Sequence, residues 1–327
     1  MRALVTGATG KVGNAIARAL AARGDEVRAL VRDPARAADV LPDGVEPVRG
    51  DVTDPDSVFT AAKGCELVFN AMGLPEQWLA DAGEFERVNA VGSETVVRAA
   101  ARAGARRIVH TSTIDVFHAE RGGRFDESEV ADYPKGTAYE RSKQHAERLV
   151  VAAAKRERIE LVIANPAAVY GPGPEGSASV ERDLLEPVVN GRRAAAPAVP
   201  PGGFGLLFST GAGAGHLLAA ERGKPGERYI LCDGHATLHE LAEAAVRIAG
   251  RGRVPPTLPV GVAKAMAMVG EPVARMTGKP PLMPKGQLHF FLWNAAPDSS
   301  KAQRELGWKP TPLDDGMRQT LASMDLL

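Results

Sequence analysis

Three glycines, Gly7, Gly10 and Gly13 in TGATGKVG, follow directly on the short apolar run 2–6 and open an amphipathic stretch at 11–23. Few folds use glycine at GxxGxxG spacing where a strand turns into a helix. A residue without a side chain allows a tight turn and a close backbone approach. The first turn of the helix adds free amides and a partial positive charge, which suit a pyrophosphate. A tight βα turn with no ligand would use the same residues.

The same alternation continues through the first half. Val12, Ile16, Ala19 and Leu20 share one face of the first helical stretch. Strands are predicted at 26–31, 45–49, 66–70, 106–111 and 160–164, with the longest helical patterns at 85–103 and 138–155. Strand–helix–strand order with right-handed crossovers predicts an α/β fold, a doubly wound parallel sheet of the Rossmann type. After Tyr170-Gly171-Pro172 the rhythm changes: 172–226 is rich in Gly and Pro, with a flexible-looking run at 197–205. A strand is predicted at 228–231 and helices at 238–249, 260–276, 299–306 and 313–324. We therefore expect a dinucleotide-binding domain over 1–171, rejoined by some later segments. Residues 172–327 are expected to form a smaller, mainly helical substrate lobe.

Composition narrows the function. Lys+Arg and Asp+Glu both number 40 in 327 residues, so net charge gives no case for nucleic acid or a membrane surface. Cys65 and Cys232 lack metal-site spacing and fit a reducing compartment. The first apolar run before the glycines is only Ala3 to Val5, and no stretch is long enough to span a bilayer. The expectation is a soluble cytoplasmic protein that binds no metal.

Candidate nucleotide contacts lie at the strand ends. Gly7, Thr9, Gly10, Lys11 and Val12 form the loop, where Lys11 either adds positive charge or points to solvent. Strand two ends Val31-Arg32-Asp33. A guanidinium at Arg32 suits a 2′-phosphate and favours NADP; Asp33 on the ribose hydroxyls would instead favour NAD. Asp51 and Val52 stand where adenine would lie, and Asp51 is equally suited to a turn or helix cap. Asn70, Ala71 and Met72 end strand four, where small residues let a cofactor pass.

The candidate catalytic pair is Tyr139 and Lys143, four residues apart and so on one helix face. A phenol is a poor general base at neutral pH, and a neighbouring ammonium favours its phenolate. Lys143 can also hold the nicotinamide ribose. A hydroxyl from the end of strand five would steady charge on the substrate oxygen, and Thr111, Ser112 and Thr113 compete for that role. His110 reads as a packed core histidine. Asp115 and His118 invite a triad reading, but no nucleophile elbow supports it.

These motifs, with LVRDP, GDVTD, NAVGSETVVRAAARAG, IVHTSTIDVF, AYERSKQHAE, NPAAVYGPG and DSSKAQRELGWKPTPL, resemble the extended short-chain dehydrogenases/reductases. They are most similar to the dihydroflavonol 4-reductase and 3β-hydroxysteroid dehydrogenase-like group, along nearly the whole chain. The resemblance implies Tyr139, Lys143 and Thr113 as catalytic residues. It places Gly7, Gly10, Gly13, Arg32, Asp51 and Val52 against the nucleotide, with Pro166 to Ala168 passing the nicotinamide amide. It also implies a homodimer through the 85–103 and 138–155 helices. Two departures stand out. The acidic segment usual before the HLL helix is replaced by Phe208-Ser209-Thr210-Gly211-Ala212-Gly213-Ala214. Ala167-Ala168-Val169 also lacks the asparagine with which sugar-nucleotide enzymes hold a diphosphate.

Expected pocket walls are 72–78, 169–174, 197–208, Met266, Met268, Met276, Phe290, Phe291 and Trp293. Arg192 and Arg193 look like a solvated helix end, so no arginine cluster demands an anionic substrate. The expected function is an NADP(H)-dependent oxidoreductase interconverting a ketone and a secondary alcohol on a small, fairly apolar molecule. The alternatives are an NAD-dependent sugar-nucleotide epimerase or dehydratase, and a non-catalytic nucleotide-sensing regulator.

Overall fold

The structure, a computed structural model, describes residues 1–75, 78–174, 180–192, 197–277, 281 and 283–327. Its strands are β1 (Arg2–Thr6), β2 (Glu26–Val31), β3 (Val45–Arg49), β4 (Leu67–Asn70), β5 (Arg107–Thr111) and β6 (Arg124–Phe125). The later ones are β7 (Glu160–Pro166), β8 (Ala168–Tyr170), β9 (Gly203–Phe208), β10 (Arg228–Leu231), β11 (Gly234–Thr237) and β12 (Ala296–Pro297). Seven of them form one sheet in the order β10-β7-β5-β4-β1-β2-β3, with every pairing parallel. The order reverses at β1/β4, which opens a crevice beyond the carboxyl ends of those strands.

Side chains that alternate along each strand explain the two layers. Val5, Phe69, Val109 and Val162 pack with Ile16 and Leu20 of the helix Lys11–Ala22 and with Ala212 and Ala219 of the helix Ser209–Arg222. Leu4, Val68, Ile108 and Leu161 face the other way. They meet Val58, Val96, Val97 and Val150 from the helices Pro55–Ala62, Gly92–Arg102 and Ala138–Glu157. Burial on both faces is why these strands read as continuous apolar runs.

A three-stranded sheet, β11-β9-β8, backs the C-terminal lobe, and neither β8 nor β11 was expected. At three and four residues they are too short to show a period. The end of the flexible-looking run also needs correction: its last three residues, 203–205, belong to the fully buried central strand Gly203–Phe208. Glycine there reports close packing, since a Cβ at Gly205 would lie 2.7 Å from Pro297 Cγ. Where 208–214 lacks acidic residues, Asp233 supplies a carboxylate from elsewhere. It accepts the Phe208 amide at 2.5 Å and the Thr311 amide at 2.7 Å. Among the described residues, no helix is long and apolar enough to cross a membrane.

Candidate active site

The glycine loop packs directly against the end of β4. Gly7 has φ +71°, and a Cβ on it would lie 2.7 Å from Ala71 O and 2.8 Å from Met72 Cα. A Cβ at Gly13 would lie 2.2 Å from Gly7 O, so the third glycine lets the helix start against the loop. Gly10 caps the helix without a side-chain bond, so no side chain satisfies its first-turn amides. Thr9 is exposed at the loop tip, and Val12 is partly buried behind it. Thr6 Oγ1 donates to Asn70 Oδ1 at 2.9 Å and accepts the Met72 amide at 3.2 Å, while Asn70 Nδ2 meets His110 Nδ1 at 3.1 Å. Asn70 is thus occupied inside the sheet, and Ala71 and Met72 provide the wall facing Gly7. His110 is the packed core histidine expected, and burial drives its pKa well down.

Lys11 has another partner than those expected of it. Its Nζ lies 2.7 Å from Glu181 Oε2, with the two side chains only 8% and 9% exposed. Glu181 Oε1 accepts the Gly171 amide as well. A charge pair therefore ties the glycine loop to the C-terminal lobe.

At the tip of β2, Asp33 is a helix cap, accepting the amides of Ala35 at 3.1 Å and Arg36 at 3.3 Å. Arg32 beside it is exposed. Asp51 Oδ1 accepts from the Thr53 amide at 2.8 Å and the Thr53 hydroxyl at 2.7 Å, which is a turn geometry. Burial raises its pKa, but the Thr53 bonds and the Arg32 and Arg87 charges outweigh that and leave it lowered. Val52 is buried, packed beneath Gly92.

The helix Ala138–Glu157 begins with a capping box between Thr137 and Glu140, which fixes where Tyr139 emerges in its first turn. Tyr139 stands edge-on to Phe85, with ring centroids 6.2 Å apart. Lys143, one turn on, is 4% exposed and donates to Thr111 O at 2.8 Å. Its Nζ would lie 3.9 Å from a Cβ on Gly73, which puts the ammonium beside the loop after β4. Burial pushes Lys143 down to about 8, opposed by the carboxylates of Glu147 and Asp115. Asn89 joins these parts: its Oδ1 accepts the Leu74 amide at 2.7 Å and its Nδ2 donates to Ser142 Oγ at 3.0 Å. Ser142 in turn donates to Tyr139 O at 2.7 Å.

The three competing hydroxyls have different surroundings. His216 Nδ1 faces Ala212 O at 2.7 Å, so its Nε2 accepts from Thr111 Oγ1 at 2.9 Å. The Thr111 hydroxyl is thus occupied by His216, and its carbonyl is held by Lys143. Ser112 Oγ is buried with no hydrogen-bond partner among the described residues. Thr113 Oγ1 lies 2.9 Å from Asp115 Oδ2, and Asn165 Nδ2 holds its carbonyl at 2.9 Å. His118 pairs with Tyr133 at 3.0 Å instead of Asp115, so the triad reading fails on geometry. Pro166 ends β7 in register with Leu231, and Ala168 begins β8, so the chain leaves the main sheet between them.

Several expected pocket walls lie elsewhere. Met266, Met268 and Met276 sit on the helix Val260–Thr277 at 41%, 65% and 87% exposure. Phe291 is core, packed on Phe204, and Trp293 stacks on Phe125 while donating to Ala119 O at 2.9 Å. Arg192 is exposed and paired with Glu186, and Arg193 and residues 76–77 lie outside the described residues. Glu181, Asn89 and Asn165 carried no signal of their own, because each acts on residues 10 or more positions away.

A family model described as the NAD dependent epimerase/dehydratase family matches residues 3–201. The chain is 33% identical to "Sterol demethylase protein B" of Methylococcus capsulatus, over 95% of this chain and 94% of that one. It is 31% identical to a "Putative dihydroflavonol 4-reductase" of Synechocystis, over 93% and 88%. Among solved structures, UDP-glucose 4-epimerase from Thermotoga maritima superposes with a TM-score of 0.79 at 19% identity, covering 99% of both chains. At that identity the likeness is one of fold.

Proposed function

This chain belongs to the NAD-dependent epimerase/dehydratase family, among the extended short-chain dehydrogenases/reductases, and we propose on that ground that it interconverts a ketone and a secondary alcohol with NADP(H). The observation that carries the reading is the position of Lys143. Its buried ammonium is held at the Thr111 carbonyl and beside Gly73, in the crevice whose other wall is the Gly7 loop.

The residues present fit a dinucleotide. Gly7 and Gly13 let the loop fold tightly against the end of β4 and the start of the helix, and the first-turn amides after Gly10, which no side chain caps, suit a pyrophosphate. Gly7, Thr9, Gly10 and Val12 would surround it, with Ala71 and Met72 opposite. Lys11 would act through the loop it fixes. Asp51 and Val52 would meet adenine, and Pro166 and Ala168 the nicotinamide end. When bound, the nicotinamide supplies or takes the hydride. Tyr139 gives or takes the proton at the substrate oxygen, Lys143 favours the phenolate and holds ribose, and Thr113 donates to the oxygen as it becomes negative. Small, fairly apolar substrates are supported by the relatives' names, which refer to a sterol and a dihydroflavonol.

The test follows NADPH and NADH absorbance against a panel of ketones, steroids and sugar nucleotides. Net NADPH oxidation with an apolar ketone is the expected result. Conversion of a sugar nucleotide by tightly retained NAD, with no net absorbance change, would replace this reading with the epimerase one.

The preference for NADP rests on Arg32 being exposed while Asp33 is engaged as a cap. Arg32→Ala is expected to raise the KM for NADPH about 10–100-fold, the worth of charge-assisted bonds to a phosphate, with little change for NADH. Equal losses for the two cofactors would remove the argument.

A further inference from the structure

The Thr113 hydroxyl has one proton and two lone pairs, and Asp115 decides how they are used. The Asp115 amide points at Thr113 Oγ1 from 3.3 Å and occupies one lone pair. Asp115 Oδ2 lies 2.9 Å from the same oxygen. If the carboxyl is ionised, it takes Thr113's only proton, and the hydroxyl can then only accept. If the carboxyl is protonated, it donates to the second lone pair and frees the proton to point elsewhere. Stabilising negative charge on a substrate oxygen needs a donor, so only the second state serves the reaction. The transition state is shared by both directions, so the requirement applies to oxidation as well as reduction.

We propose that Asp115 is a positioning residue whose own protonation determines whether Thr113 can donate to the substrate oxygen. The inference rests on the role given to Thr113 above and adds a condition to it. The surroundings favour the neutral acid. Asp115 is 5% exposed, and its Oδ1 has no hydrogen-bond partner among the described residues, a costly position for a charged oxygen. The charged groups facing it are Glu140 and Lys143 from the Tyr139 helix and Lys135 from the segment before that helix. Both ammonium groups are committed to carbonyls, Lys135 to Phe117 O at 2.7 Å and Lys143 to Thr111 O at 2.8 Å. Burial, with Glu140, pushes the Asp115 carboxyl up to about 7, while Thr113, Lys135 and Lys143 oppose the rise.

The sign follows from that. Thr113 is a donor below the carboxyl's pKa and loses that capacity as pH rises through neutrality. Activity should fall about tenfold per pH unit above that point, as for loss of one essential proton. Asp115→Asn carries no titrating proton at this position, so this decline should disappear. The later decline set by Lys143, pushed down to about 8, should remain.

The deciding readout is the ¹³C carboxyl signal of aspartate-labelled protein, titrated without nucleotide, with Asp115→Asn identifying the resonance. Titration near neutrality supports the proposal, and a carboxyl fully ionised by about pH 5 overturns it. Persistence of the neutral-pH decline in Asp115→Asn also overturns it. Should that variant not fold, Thr113→Val is the second probe: losing the bond that favours ionisation must move the same signal to higher pH. An unmoved signal would count against the pairing. Because the titration needs no substrate, failure of the ketoreductase reading and failure of the Asp115 proposal are distinguishable.

Discussion

Tyr139→Phe is expected to reduce kcat by about 10²–10⁴-fold, the usual worth of a positioned acid–base group, while nucleotide affinity stays nearly unchanged. The substitution removes one oxygen from the first turn of the helix Ala138–Glu157. It leaves the Thr137–Glu140 capping box, the Ser142 bond to the Tyr139 carbonyl and the edge contact with Phe85 available to the new ring. Lys143 keeps its hold on Thr111 O, so the part of the crevice proposed to take the ribose should survive. Steady-state kinetics paired with nucleotide fluorescence titration separates the two effects. Unchanged turnover would mean that the phenol does not handle the proton. A matching loss of nucleotide affinity would mean that its role is in binding.

The second large effect concerns stability. Lys11→Ala should destabilise the protein by about 3–5 kcal/mol, because it leaves Glu181 buried without its counter-charge. Glu181 also holds the Gly171 amide, so the loss should loosen the segment leading into the lobe. The Lys11→Met/Glu181→Gln double variant removes both charges and should recover most of the loss, since uncompensated charge is the larger part of the cost. Urea denaturation of the three proteins makes the comparison. A Lys11→Ala variant within 1 kcal/mol of the parent, to take about that as the threshold, would show that water reaches and solvates Glu181.

The inner strands of the main sheet were readable because burial on both faces turns each into an apolar run. The strands predicted at 2–6, 26–31, 45–49 and 228–231 coincide with β1, β2, β3 and β10, although the edge strand β3 is partly exposed. The lobe was less legible. Gly203 and Gly205 in β9 read as loop residues, since sequence does not distinguish a glycine that relieves a turn from one that admits a close neighbour. The methionines of the helix Val260–Thr277 read as pocket material, but composition alone does not say which face of a helix is covered.

Local spacing fixed what depends on local geometry. Gly7, Gly10 and Gly13 at a strand-to-helix turn define the loop, and Tyr139 with Lys143 share a helix face because a helix turns once in 3.6 residues. The tertiary structure decided what depends on residues distant in the chain. It gave the Lys11 charge to Glu181, 170 positions away, and the Thr111 hydroxyl to His216, 105 positions away. Even Asp115, two residues from Thr113, has its carboxyl pushed up only because burial and Glu140 outweigh Thr113, Lys135 and Lys143 around it. Hydrogen-bond donors and charges act over a few ångströms of space, and in a doubly wound sheet the groups that near each other come from strands and helices far apart in sequence.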